Sequence, residues 1–121
     1  MVDVTTLDLS LNDIAVHLLK IDVEGFEANV LKGATQILQK QDLKAVIIET
    51  NGLSNQYEFD QDYIHEKLTD AGFAAFDYIP SEKKLRPITT MNPDNTIYIR
   101  DYAFVESRLK TSRKIKINGI Y

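Results

Sequence analysis

The stretch Lys20-Ile21-Asp22-Val23-Glu24-Gly25-Phe26-Glu27 sets three carboxylates and a glycine directly behind an apolar run. A second apolar run, Ala45-Val46-Ile47-Ile48, also ends in an acid, Glu49, with Asn51 two residues further on. Carboxylates gathered at one place have three chemistries open to them. They can hold a divalent cation, accept from ribose or sugar hydroxyls, or act as a general base. A plainer reading stands beside these: acids exposed in loops, with Glu24 or Glu27 only favouring a helix start. Spacing alone does not choose among them. The two histidines add no metal pair, since no H-x-x-x-H occurs. His17 lies in an apolar stretch and reads as structural, while His65, beside Tyr63 and Glu66, reads as solvated.

The acids matter only if the elements around them bring them together. Val16 to Val23 is mostly apolar over a strand-like length, which suits a strand covered on both faces. Phe26, Val30, Leu31, Ala34, Ile37 and Leu38 recur at helical spacing, predicting one helix over 26–40 with Glu27 in its first turn. Gly33 inside that helix suggests close packing on a sheet. Leu43 to Thr50 reads as a second buried strand. Asp60 reads as the N-cap of a helix carrying Tyr63, Ile64, Leu68 and Ala71 on one face, with Gly72 as its stop. Phe73–Ile79 and Asn95–Arg100 are two further strands. The charged, proline-containing loop between them has room for a small hairpin. The opening Val2–Leu9 reads as a short strand or extended arm turning near Asp8, and Asp101–Leu109 as a short helix.

Strands alternating with helices predict an α/β fold with a parallel sheet, the last pair of strands running antiparallel. In such a sheet ligands sit beyond the carboxyl ends of the strands. If the first two strands are neighbours about 4.8 Å apart, Asp22, Glu24, Glu49 and Asn51 share one rim. Tyr57 and Phe59, in the loop that follows, are placed to line a pocket for an acceptor molecule.

Composition narrows the classes. The chain has 121 residues, 44% hydrophobic and 26% charged, as expected of one soluble domain. It contains no cysteine, which excludes disulfides, a thiolate nucleophile and thiolate-bound zinc. No apolar run reaches the roughly 18 residues of a membrane span, and no secretory signal opens the chain, so a cytoplasmic location is expected. The net charge of −4 conceals an asymmetry. All five charged residues after Glu106 are basic (Arg108, Lys110, Arg113, Lys114, Lys116), leaving nine basic and eighteen acidic residues before them. An acidic body of residues 1–106 argues against nucleic acid as a partner, and residues 107–121 form a basic tail.

The run Val4-Thr5-Thr6-Leu7-Asp8, then "LLKIDVEGFEANVLKGA" and "AVIIET", closely resembles the FkbM-type family of methyltransferases. The resemblance is firm from Val4 to Thr50 and looser to Arg100. It implies a class I, Rossmann-like sheet of strand order 3-2-1-4-5-7-6 with strand 7 antiparallel, S-adenosylmethionine as cofactor, and O-methylation of a sugar or natural-product hydroxyl. On that map the four long strands are strands 4, 5, 6 and 7. Asp22 and Glu24 would face the transferred methyl group and the small-molecule acceptor. Asp22, Glu49 and Asn51 would be the candidate ligands of Mg²⁺, and Glu49, Asn51 and Tyr57 would contact the acceptor. Family members place a glycine-rich cofactor turn ahead of these strands, and none of the five glycines here forms a G-x-G. The chain is therefore expected to be the C-terminal part of such a domain, inactive by itself, or alternatively a non-catalytic half-domain acting as an association or regulatory module. Strand 4, with its outer edge open, is expected to drive self-association.

Overall fold

The computed structural model describes residues 1–50 and 58–113, with no account of the side chains of residues 58–60. Its elements in chain order are α1 (Leu7–Ser10), β1 (Leu18–Ile21), α2 (Glu27–Lys32), a 3₁₀ turn (Ile37–Gln39), β2 (Ala45–Glu49), α3 (Glu58–Asp70), β3 (Ala74–Ile79), β4 (Lys84–Pro87), β5 (Asn95–Ile99) and α4 (Tyr102–Thr111). The five strands form one mixed sheet in the order β1-β2-β5-β3-β4. Among the described residues only β1 and β2 pair parallel, with Ile21 level with Ile48. β5 runs antiparallel to both β2 and β3, so it threads back between two strands of common direction. The loop expected to hold a small hairpin supplies β4, which pairs back on β3, the strand before it. The fold is α/β, with one parallel pair where a largely parallel sheet is expected.

Alternation along the strands assigns the two faces. Ile21, Val46, Ile48, Ala75 and Tyr98 turn to the face covered by α2, the 3₁₀ turn and α3, where Leu31, Ala34, Ile37, Leu38, Ile64 and Leu68 complete the main core. Ala45, Phe76 and Ile99 turn to the opposite face, covered by α4 through Val105 and by the Tyr102 ring, 5.5 Å from that of Phe76. That cover does not reach β1. Leu18 is 56% exposed, and β1 alternates exposed and inward residues instead of being buried on both faces. The cause is its place at the end of the sheet order, where among the described residues no strand pairs with its outer edge.

The single helix expected over 26–40 is two pieces. α2 stops at Gly33, and a Cβ on that glycine would meet the Thr6 side chain at 3.0 Å, so the close approach is to the chain's opening segment and not to the sheet. A new turn then starts where the Asp8 carboxylate accepts from the backbone N–H of Gln36 (3.0 Å) and Ile37 (2.9 Å). Asp8 itself sits on α1, not on an extended arm, because the Thr6 hydroxyl caps that helix by accepting from Leu9 N. Phe26, counted with the apolar face, is 65% exposed. α3 begins at Glu58, so Asp60 lies inside its first turn.

One cation fastens the far end of the sheet. The Arg100 guanidinium donates to the carbonyls of Lys40 (2.6 Å), Leu43 (3.3 Å), Ala71 (2.8 Å) and Leu38, and lies 4.2 Å from the centre of the Phe73 ring. It thereby joins the end of α3 to the turn before β2. α4 runs from Tyr102 to Thr111 and contains Glu106.

Candidate functional site

The rim lies where β1 and β2 end side by side. Leaving β1, the chain passes through Asp22 and turns over Val23–Phe26, with Phe26 N donating to Val23 O at 3.4 Å. Both central residues have positive φ, Glu24 at 50° and Gly25 at 99°, as in a type I′ turn. Glycine adopts this freely. Glu24 does so at a cost of about 1–2 kcal/mol, so something must hold it. Glu27 does: its carboxylate, on a residue only 6% exposed, accepts from Val23 N (3.2 Å) and from Gly25 N (3.1 Å to each oxygen). The same carboxylate sits in the first turn of α2, where the helix dipole favours it. Glu27 is thus the buried clamp of the turn, and its neighbour Glu24 is turned to solvent.

Asp22 and Glu49 both lie within ion-pair distance of Lys20. Lys20, in β1, and Asp22, just past its end, are two residues apart on the side of the sheet away from α2, and Glu49 lies two residues after Ile47, the register partner of Lys20. The ammonium of Lys20 lies 2.5 Å from Asp22 Oδ2 and 4.0 Å from Glu49 Oε2. Its hydrogen bond to the Asp22 carboxylate, ahead of the opposing effect of burial, raises its pKa above the ordinary lysine value. The lysine is therefore a fixed cation at neutral pH, with its side chain still 52% exposed. Thr50, next in the chain after Glu49, is buried, and among the described residues its Oγ1 has no hydrogen-bond partner. No pattern in the sequence marks that hydroxyl.

Asn51 and Tyr57 fall outside the described residues. Among the described residues, no three His, Asp or Glu side chains converge as a metal ion requires, and one of the two negative charges of Asp22 and Glu49 is met by Lys20. With the Lys20 ammonium on the Asp22 carboxylate, the described residues as placed do not form a ready divalent-ion site. Nor do they make a complete site for S-adenosylmethionine. A hollow of about 170 Å³ lined by Thr5, Thr6, Leu7, Ser10, Asn29, Val30 and Gly33 includes none of the rim residues, and it is smaller than the roughly 300–1,000 Å³ of small-molecule sites. The histidines lie apart from the rim's acids. His17 is exposed and donates from Nδ1 to Asp42 O at 3.1 Å. His65 is half-buried rather than solvated, its Nδ1 2.7 Å from the hydroxyl of the buried Tyr98.

Among the described residues no helix is long and apolar enough to cross a membrane. Comparison with known proteins gives no match among curated proteins and none among solved structures. The family model described as the methyltransferase FkbM domain matches residues 1–75. That match contains β1, the Glu24–Gly25 turn, the Glu27 clamp and β2, and extends through α3. With more than half of its residues inside that match, the chain belongs to the methyltransferase FkbM family.

Proposed function

We propose that this chain serves S-adenosylmethionine-dependent methyl transfer to a hydroxyl of a small molecule, a sugar or natural product, with the β1–β2 rim as the acceptor side. The observation that carries this reading is the meeting of Asp22, Lys20 and Glu49 at the carboxyl ends of two paired parallel strands, where α/β sheets bind ligands. The neighbour order β1-β2-β5-β3, with β5 antiparallel, supports an assignment to strands 4, 5, 7 and 6 of the class I sheet.

The chain's own residues have a limited task in this chemistry. The acceptor oxygen must be held in line for attack, which is where most of the advantage in a displacement arises. Asp22 and Glu24 orient the hydroxyl and take its proton. Glu49, followed in the chain by Asn51 and Tyr57, contacts the rest of the acceptor. Glu27 holds the turn that aims Glu24. S-adenosylmethionine, when bound, supplies the methyl group; in the family a glycine-rich turn cradles its methionine end and an acid holds its ribose, and none of the five glycines here belongs to a G-x-G sequence. The setting is cytoplasmic in this reading.

Calorimetric titration of S-adenosylhomocysteine tests it. The chain alone gives no saturable heat, and mixing it with a polypeptide carrying the glycine-rich turn of a family member gives binding near one ligand per chain. In that mixture Asp22→Ala lowers methyl transfer and leaves cofactor binding unchanged. Failure of every such mixture to bind removes the reading. A second reading, a non-catalytic association module, is favoured by the open edge of β1 with its exposed Leu18. The occupant of that edge would be a second copy of the chain. Sedimentation at tens of micromolar showing only monomer counts against it.

A further inference from the structure

We infer that Lys20 is the built-in cation of this rim and that the site operates without a divalent ion. Two carboxylates at the ends of adjacent parallel strands repel each other unless a positive charge stands between them. The Lys20 ammonium is there, bonded to Asp22 at 2.5 Å and 4.0 Å from Glu49. A divalent ion bound by the same two carboxylates needs their oxygens at about 2.0–2.6 Å, which requires the ammonium to leave. Lysine has a flexible stem and a point charge, but its strand position keeps it here, since Lys20 and Asp22 share a face of the sheet. Among the described residues no third carboxylate or imidazole joins the pair to outbid it. The consequence for chemistry rests on the rim being the acceptor side. There the lysine offsets one of the two negative charges and leaves N–H groups beyond its bond to Asp22 free to donate to an acceptor.

The test needs neither cofactor nor acceptor, so its outcome is separate from that of the methyl-transfer reading. Mn²⁺ is titrated into the full chain and free Mn²⁺ is read by electron paramagnetic resonance. The intact chain and Lys20→Arg, which keeps the charge, bind no stoichiometric Mn²⁺. Lys20→Met gains one site at least about tenfold tighter, and Lys20→Met with Asp22→Asn loses it. Stoichiometric Mn²⁺ on the intact chain, removed by Asp22→Asn, overturns the inference whether or not the Met variant folds. So does a folded Lys20→Met chain that binds no more Mn²⁺ than the intact one.

Discussion

Replacing Glu27 by Gln tests how the rim turn is held. The native carboxylate accepts from two backbone donors, Val23 N and Gly25 N, and Gly25 N reaches both of its oxygens. An amide keeps one acceptor oxygen and turns an NH₂ group towards those donors. Losing one charge-assisted bond and stranding a donor at a buried position costs about 3 kcal/mol. Some of this is returned, because a loosened turn lets Glu24 leave positive φ and recover about 1 kcal/mol. The first effect wins, and the net loss is about 2 kcal/mol, a large share of a typical domain stability of roughly 5–15 kcal/mol. With a urea dependence of about 2 kcal/mol per molar for a chain of this size, the midpoint falls by about 1 M. Amide hydrogen exchange locates the effect: Val23 and Gly25 lose protection first, ahead of Ile21 and Ile48 in the paired strands. A midpoint lowered by less than about 0.3 M, with Val23 and Gly25 exchanging as before, refutes the clamp.

Three further outcomes follow from contacts elsewhere in the fold. Arg100→Met leaves four carbonyls without their donor and removes the contact with Phe73, lowering stability by about 3 kcal/mol in urea unfolding, and Arg100→Lys recovers less than half because a single ammonium cannot span them. Asp8→Asn retains one acceptor for Gln36 N and Ile37 N and costs about 1 kcal/mol, Asp8→Ala about 2 kcal/mol, with exchange rising first at those two amides. Burial raises the Tyr98 phenol above its ordinary value, so the unfolded chain loses that proton first as pH climbs. The stabilisation is whole below the unfolded pKa of about 10 and declines above it. Urea midpoints measured across that range fall with pH in the intact chain and fall less steeply in Tyr98→Phe.

What could be read in the sequence is what short-range chemistry decides. The apolar runs at Leu18–Ile21 and Ala45–Glu49 are strands because their side chains suit a pleated, covered surface. The acid that ends each run falls at the carboxyl end of its strand whatever else the chain does, and Gly25 marks the turn because only a residue without Cβ takes φ near 99° freely. The family, too, is written in that local stretch. The helix that breaks at Gly33 could not be read there. Its periodicity continues to Leu38, and the break is made by Asp8, some 28 residues away, capping Gln36 and Ile37.

The same distance in sequence hides the roles of Arg100, whose four carbonyl partners come from two separate connections, and of His65, which meets Tyr98 only when α3 lies on β5. The burial of β1 is likewise not local: an apolar strand reads as central, and its exposure at the end of the sheet depends on which strands pair with it. At the rim, the sequence determined that Asp22, Glu24 and Glu49 would sit at strand ends. Only the tertiary structure decided that Lys20 stands between two of them, since that contact requires β1 and β2 side by side in one register and a face left open. Pairing and register sum weak contributions over many residues, and no short segment holds them.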